Sequence, residues 1–228
     1  MLKSDQPTEF MQALMHEIQQ PLLVARTTQE LIDWKADNPD HKKHLESSEQ
    51  ALGDLTHKLD RIAEAFQWQS GGFDLSMSYL DIKNFLTQVI EDQPVAITID
   101  KSLNEKLFLM SPHYLKEAFT EILKNSFFFN KSKNPEVSIE VSERDDDLIF
   151  VIMDNGIGIA EKNWAKIFDL LFVVAESRHA TESGLGVGLT KARGIIDKHG
   201  GSCTVKTSDP KQGTCIEVVL PLKTLVWG

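Results

Sequence analysis

The sequence predicts an α+β protein in two parts, an antiparallel helical hairpin followed by a mixed domain of helices layered on strands. Three observations carry that prediction. Within the first 70 residues, two runs separated by a turn-like stretch keep a coiled-coil spacing of apolar and small side chains. The pair Gly71-Gly72 then breaks the pattern. From there to residue 228, short alternating apolar runs take turns with amphipathic helical ones. The domain boundary is accordingly drawn at 70, giving 1–70 and 71–228.

In the first part, small or apolar residues fall at Leu14, Ile18, Pro21, Ala25, Thr28 and Ile32, alternating steps of four and three. A turn-like DNPDH follows at Asp37 to His41, and the spacing resumes at Leu45, Ser48, Leu52, Leu55, Leu59, Ile62 and Phe66. Two helices with seams this narrow bury too little alone, so the periodicity predicts a homodimer in which two hairpins form a four-helix bundle. In the second part, strands are expected at Ala96–Asp100, Val137–Ser142, Leu148–Asp154, Ser202–Thr207 and Thr214–Leu220. Helices are expected at Asp81–Glu91, Pro112–Phe129 and Gly188–His199. The stretch ERDDDL at Glu143 to Leu148 reads as a charged hairpin tip.

Composition narrows the function classes. With 41% hydrophobic and 25% charged residues, the chain suits a globular protein with a substantial core. No run reaches the roughly 18 apolar residues of a membrane span, and the N-terminus lacks a signal-peptide layout, so a cytoplasmic location is expected. A formal charge of -10 argues against a general nucleic-acid binder, whose phosphate contacts need a basic surface. Cys203 and Cys215 lie in apolar, strand-like stretches and read as reduced core residues.

Four stretches carry chemistry. In MHEIQQPLLV, His16 sits about 200° around the helix from Leu14 and therefore points toward solvent. With an ordinary pKa of about 6.5 its imidazole keeps a nitrogen lone pair at neutral pH, and Glu17 beside it can take up the displaced proton. Pro21 leaves the Glu17 carbonyl without its helical donor, which bends the helix one turn from His16. In DNGIGI, Asp154 offers a carboxylate acceptor at a strand end, suited to a purine amino group, and Gly156 and Gly158 let backbone approach a ligand. In SGLGVGL, Gly184, Gly186 and Gly188 open a helix whose N-terminal amides can meet phosphate. The spacing is not that of a dinucleotide fingerprint, which needs G-x-G-x-x-G directly after a strand. In EAFTEILKNSFFFN, Glu121 and Asn125 share a helical face and can offer oxygens to one Mg²⁺ or its water shell. Phe127, Phe128 and Phe129 read as core, with one of them available to pack on a base.

These stretches, in this order, resemble the sensor histidine kinases of two-component signalling over about Phe10 to Leu222. HEIQQPL is similar to that family's H-box, EILKNSFFFN to its N-box, DNGIGI to G1, IFDLLF at Ile167 to Phe172 to the F-box, and SGLGVGL to G2. GTCIEVVLPL, Gly213 to Leu222, resembles the closing strand. The resemblance implies a dimerising, histidine-bearing hairpin joined to a two-layer α/β sandwich of the GHKL ATPase type. It further implies His16 as phosphoacceptor, Glu17 as its acid-base partner, and Gln20 as the residue that orients water for dephosphorylating a partner. Asn125 would bind Mg²⁺, with Glu121 in place of the first N-box asparagine. Asp154 would take the adenine amino group with Thr214 in support, Phe129 would flank the base, and Gly156, Gly158, Gly184, Gly186 and Gly188 would shape the ATP pocket. Phe128 stands where lysine is common, and Arg178, His179 or Lys191 could supply the lost charge.

The implied partners are a second copy of the chain, the receiver domain of a response regulator, and a sensor domain either in the same chain or in a separate protein, since only 15 residues precede His16. A related fold serving as a phosphotransfer hub or dimeric scaffold without ATP turnover is the alternative reading. A GHKL ATPase that hydrolyses ATP or phosphorylates protein serine is a third, disfavoured by the hairpin.

Overall fold

The computed structural model describes residues 18–28, 41–70, 73–91, 93–174, 185–209 and 212–222. His16, Glu17, Gly184, Arg178, His179, the glycine pair 71–72 and the turn at 37–40 lie outside them. Contacts divide the chain into two compact units, Met1–Glu64 and Ala65–Gly228.

In the first unit, residues 18–28 are helical and constitute the described part of α1. The second helix, α2, runs His41–Ser70. The expected seam is visible in burial: Pro21, Ala25 and Thr28 are covered on α1, and Ser48, Leu55 and Ile62 on α2. The Ser48 hydroxyl donates to the Ala25 carbonyl at 3.4 Å, which sets that turn of α2 beside α1. Thr28 satisfies its own hydroxyl by donating to the Val24 carbonyl at 2.7 Å. Leu52 departs from the expected seam and is 46% exposed, as are Leu22 (51%), Leu23 (64%) and Val24 (47%).

The second unit is a two-layer α/β sandwich. Its sheet takes the order β2-β4-β5-β7-β6 from β2 Val95–Ile99, β4 Val137–Arg144, β5 Asp147–Asp154, β6 Ser202–Asp209 and β7 Gly213–Pro221. Only the β2–β4 pair is parallel; the other pairs are antiparallel. Helices α3 Ile82–Ile90, α4 Pro112–Phe128 and α5 Gly188–Lys198 supply the other layer. Alternation along the strands sends Ile139, Phe150, Ile152, Val218 and Leu220 inward, where they meet Phe119, Ile122, Ile195 and Ile196 of α4 and α5. Phe119 packs edge-on against Phe85 at 5.5 Å and Phe150 at 4.7 Å, joining both helices to the sheet.

Local chemistry sets the ends of these elements. Asp81 caps α3, its carboxylate accepting the Asn84 amide at 2.7 Å. The charged tip between β4 and β5 turns on Asp145 and Asp146, both at positive φ (52° and 64°), the geometry of a tight two-residue hairpin. Two short strands that periodicity does not mark, β1 Ser78–Asp81 and β3 Leu107–Met110, pair as a separate antiparallel ribbon. His199, buried just after α5, accepts the Ser111 amide at Nε2 (3.2 Å) and donates from Nδ1 to the Ile195 carbonyl (2.8 Å), tying the start of α4 to the end of α5. Near the end of α2, Trp68 is buried edge-on against Phe73 (4.0 Å) and Tyr114 (5.1 Å). Gly194 leaves room for it: a Cβ there would lie 2.7 Å from the Trp68 carbonyl oxygen. Both cysteines are reduced and buried, and burial pushes the Cys203 thiol up to about 12.

Candidate nucleotide site

The site is built where β5 ends. Asp154 stands opposite Thr214 in the β5–β7 ladder, so the first residues of β7 border its carboxylate. Its Oδ1 accepts two backbone amides, from Gly156 at 2.9 Å and Thr214 at 3.2 Å, and the Ser126 side chain also bonds the carboxylate. That leaves acceptor capacity on the group for an external donor. Burial nonetheless pushes the Asp154 carboxyl above the ordinary value of 3.8, outweighing the hydrogen bonds that pull it down. Thr214 thus supports the carboxylate through its amide, while its hydroxyl lies 3.1 Å from the Ser208 hydroxyl.

Backbone crowds this corner, which explains its glycine. A Cβ on Gly156 would lie 2.8 Å from Asp154 Oδ1 and 3.0 Å from the Phe129 carbonyl oxygen. Gly158 has φ +68°, which side chains rarely adopt. The loop is fixed to the end of α4 by the Ile157 amide donating to the Phe129 carbonyl at 3.2 Å. Phe129 is half-buried beside it, its ring 4.9 Å from that of Phe128. Phe128 is 41% exposed, so it is not the core residue its type suggests.

A second cluster forms where α4 faces the start of α5. A Cβ on Gly188 would lie 2.5 Å from Glu121 Oε2 and 3.6 Å from Asn125 Nδ2, so these three residues meet. Asn125 donates Nδ2 to the Glu121 carbonyl at 2.7 Å, which leaves Oδ1 as its acceptor. Glu121 Oε1 accepts Lys124 at 3.2 Å. Gly186 has a different setting, with φ +67° and its missing Cβ only 2.5 Å from the Phe172 carbonyl oxygen. Its own carbonyl accepts the Leu171 amide at 3.0 Å, and Thr190 donates to the Phe168 carbonyl at 3.1 Å. The 167–172 stretch is therefore held against the opening of α5. Lys191 is engaged elsewhere, paired with Glu117 at 2.8 Å and 5.4 Å above the Trp68 ring.

Residues 110–224 match the family described as histidine kinase-, DNA gyrase B- and HSP90-like ATPases. The chain belongs to this family. Among relatives, the sensor protein KdpD of Escherichia coli is 25% identical over 218 residues, 93% of this chain but 24% of its own length. Full-length ShkA in complex with AMPPNP superposes with a TM-score of 0.64 at 19% identity, covering 95% of this chain and 46% of that one. ThkA in complex with the response regulator protein TrrA gives a TM-score of 0.65 at 16% identity, covering 94% and 61%. The chain thus spans about a quarter of KdpD and less than two thirds of either solved structure.

In this GHKL-type ATPase domain the structure draws the sequence-predicted residues into two clusters: Asp154, Gly156, Phe129 and Thr214 around the carboxylate, and Glu121, Asn125 and Gly188 at the start of α5. Gln20 belongs to the other unit and is exposed. His16, Glu17 and Gly184 lie outside the described residues. Ser126 and Ser208 also bond into this site, although no motif marks either of them. Ser126 could have been found from its place one residue after Asn125; Ser208 carries no motif signal and is identified only by its bonds.

Proposed function

We propose that this chain is the core of an ATP-dependent histidine kinase that phosphorylates itself on His16 and passes the phosphoryl group to an aspartate of a separate response regulator. What carries the reading is the pairing of an amide-braced carboxylate, Asp154, with the Glu121–Asn125–Gly188 corner in a domain of this ATPase family, in a chain whose sequence carries HEIQQPL at His16.

Asp154 accepts the adenine amino group, and Phe129 packs beside the base. Gly156, Gly158, Gly184, Gly186 and Gly188 keep side chains clear of the pocket, and the amides at the start of α5 face the phosphates. The donor set suits Mg²⁺: that ion takes one or two protein oxygens and completes its shell with water and substrate phosphates, and Asn125 Oδ1 with Glu121 supplies that number. Among the described residues no cluster of three or more His, Cys, Asp or Glu offers an all-protein cage. Bound there, the ion would neutralise phosphate charge. A ring nitrogen of His16 attacks the γ-phosphorus in line as the bond to the bridging oxygen of ADP breaks, and Glu17 receives the ring proton. Gln20, exposed on α1, orients water for hydrolysis of the regulator's phosphoaspartate, which releases inorganic phosphate. ATP supply places the reaction in the cytoplasm, with the signal arriving from a sensor domain in the same chain or another protein. The bound nucleotide analogue of ShkA and the regulator bound to ThkA support the substrate and the partner.

Exposed Phe128, at the position where lysine is common, favours one other reading, a phosphotransfer hub or scaffold without ATP turnover. Incubation with γ-labelled ATP separates the two. The wild type should gain acid-labile label and His16→Gln none, whereas Gln20→Ala should label normally and lose regulator dephosphorylation. Label persisting in His16→Gln would overturn the phosphoacceptor; a wild type that never labels would favour the scaffold.

A further inference from the structure

Ser208, on β6, lies outside every motif named above and joins three pieces of the pocket wall. Its hydroxyl oxygen accepts the Ile159 amide at 2.7 Å, lies 3.0 Å from the Gly213 carbonyl, and lies 3.1 Å from the Thr214 hydroxyl. A serine hydroxyl has one proton and two lone pairs. Accepting from Ile159 therefore leaves it one proton for Gly213 or Thr214 and one lone pair for the Thr214 hydroxyl. Ile159 closes the loop that begins at Asp154, and Gly213 and Thr214 open β7, whose amide holds Asp154 Oδ1. Backbone packing adds to the constraint: a side chain on Gly213, at φ +103°, would run into the Asp154 carbonyl. Asp154 thus stands between two segments that Ser208 ties to each other.

We propose that Ser208 is a positioning residue for base selection, fixing the 156–159 loop and the Thr214 amide around Asp154 so that its unfilled acceptor sites meet a 6-amino purine and not a 6-oxo one. The proposal rests on the adenine reading of Asp154. Without the Ser208 hydroxyl the Ile159 amide loses its acceptor, the β6–β7 turn loses a tie, and the Thr214 amide is held on the carboxylate less tightly. The carboxylate then swings more freely and discriminates less between a donor and an acceptor at purine C6.

The test uses the whole chain as wild type, Ser208→Ala and Ser208→Thr. Two quantities are measured: the titration of the Asp154 carboxyl by carbon-13 NMR without nucleotide, its resonance assigned with Asp154→Asn, and the affinities for ADP and IDP by calorimetry. Ser208→Ala should move the Asp154 titration to higher pH and cut the ADP-over-IDP preference by roughly tenfold, about the worth of one hydrogen bond. Ser208→Thr, which keeps the hydroxyl, should restore both. If Ser208→Ala leaves the titration and the preference at wild-type values, the positioning role is overturned. A wild type that binds ADP no better than IDP overturns the adenine assignment beneath it, whatever Ser208→Ala does to the titration.

Discussion

Asp154 is held where its charge is costly, and that cost has a sign that can be measured. Its carboxyl titrates above the ordinary 3.8 because burial outweighs the amides of Gly156 and Thr214 and the Ser126 side chain. Between the ordinary value and the raised one the folded protein binds more protons than the unfolded chain, so stability falls as pH rises through that window. Above it the full penalty persists at neutral pH. Asp154→Asn removes the charge while keeping an oxygen for the two amides, so thermal unfolding at pH 7 should show Tm unchanged or raised. If Asp154 accepts the purine amino group as proposed, the same change sets an amide donor against it, and ADP affinity should fall roughly 10- to 100-fold. A clear drop in Tm with ADP binding intact would show that Asp154 is structural.

At the scale of elements, the opening of α5 separates two glycines that the motif presents as equivalent. A Cβ on Gly186 meets backbone at Phe172 and Leu171 and must adopt φ +67°, a left-handed strain of roughly 1–2 kcal/mol before any clash. A Cβ on Gly188 is crowded only by the far end of the Glu121 side chain, which can swing away, and meets Asn125 Nδ2 at ordinary contact distance. Gly186→Ala should therefore lower Tm by several degrees, whereas Gly188→Ala should leave Tm within a degree or two and weaken Mg-nucleotide binding by displacing Glu121. Thermal scans alongside ADP titrations check both; equal Tm losses would sink the distinction. The sequence shows the triple glycine but not this difference, because each glycine's neighbour, Phe172 or Glu121, comes from a different stretch of chain. The same reason governs the rest. Helix α3 was legible nearly to its caps, since Asp81 and the apolar face are local signals, and β4 and β5 announce themselves by alternation around ERDDDL. The ribbon β1–β3 did not, because four-residue strands hold too little period to read. Lys191 is one of three basic residues the sequence offers as a phosphate contact, and its pairing with Glu117 on α4 is a fact only the fold supplies. Asp154, Glu121 and Asn125 could be picked out by type and spacing, but the bracing of one by Thr214 and the meeting of the others with Gly188 exist only in three dimensions.

For the whole molecule, the open question of stability lies in the hairpin unit. Its seam buries Pro21, Ala25, Thr28, Ser48, Leu55 and Ile62, several of them small or polar, so one hairpin gains little from hydrophobic burial. Leu22, Leu23, Val24 and Leu52 meanwhile remain about half exposed on a unit that ends at Glu64. Covering them with a second copy answers both facts, which is the basis for proposing the homodimer. Sedimentation at micromolar concentration should give twice the 25.7 kDa chain mass, and the hairpin's helical signal should melt at a temperature that rises with protein concentration. Replacing Leu22 and Leu52 together by glutamate puts like charges into the proposed interface and should shift the protein to monomer. Because the ATPase unit Ala65–Gly228 has its own core, the double variant should still bind ADP, which distinguishes a lost dimer from a lost fold. A wild type that sediments as a monomer at every concentration would remove the four-helix bundle from the account and leave Leu22, Leu23, Val24 and Leu52 as the surface of some other contact.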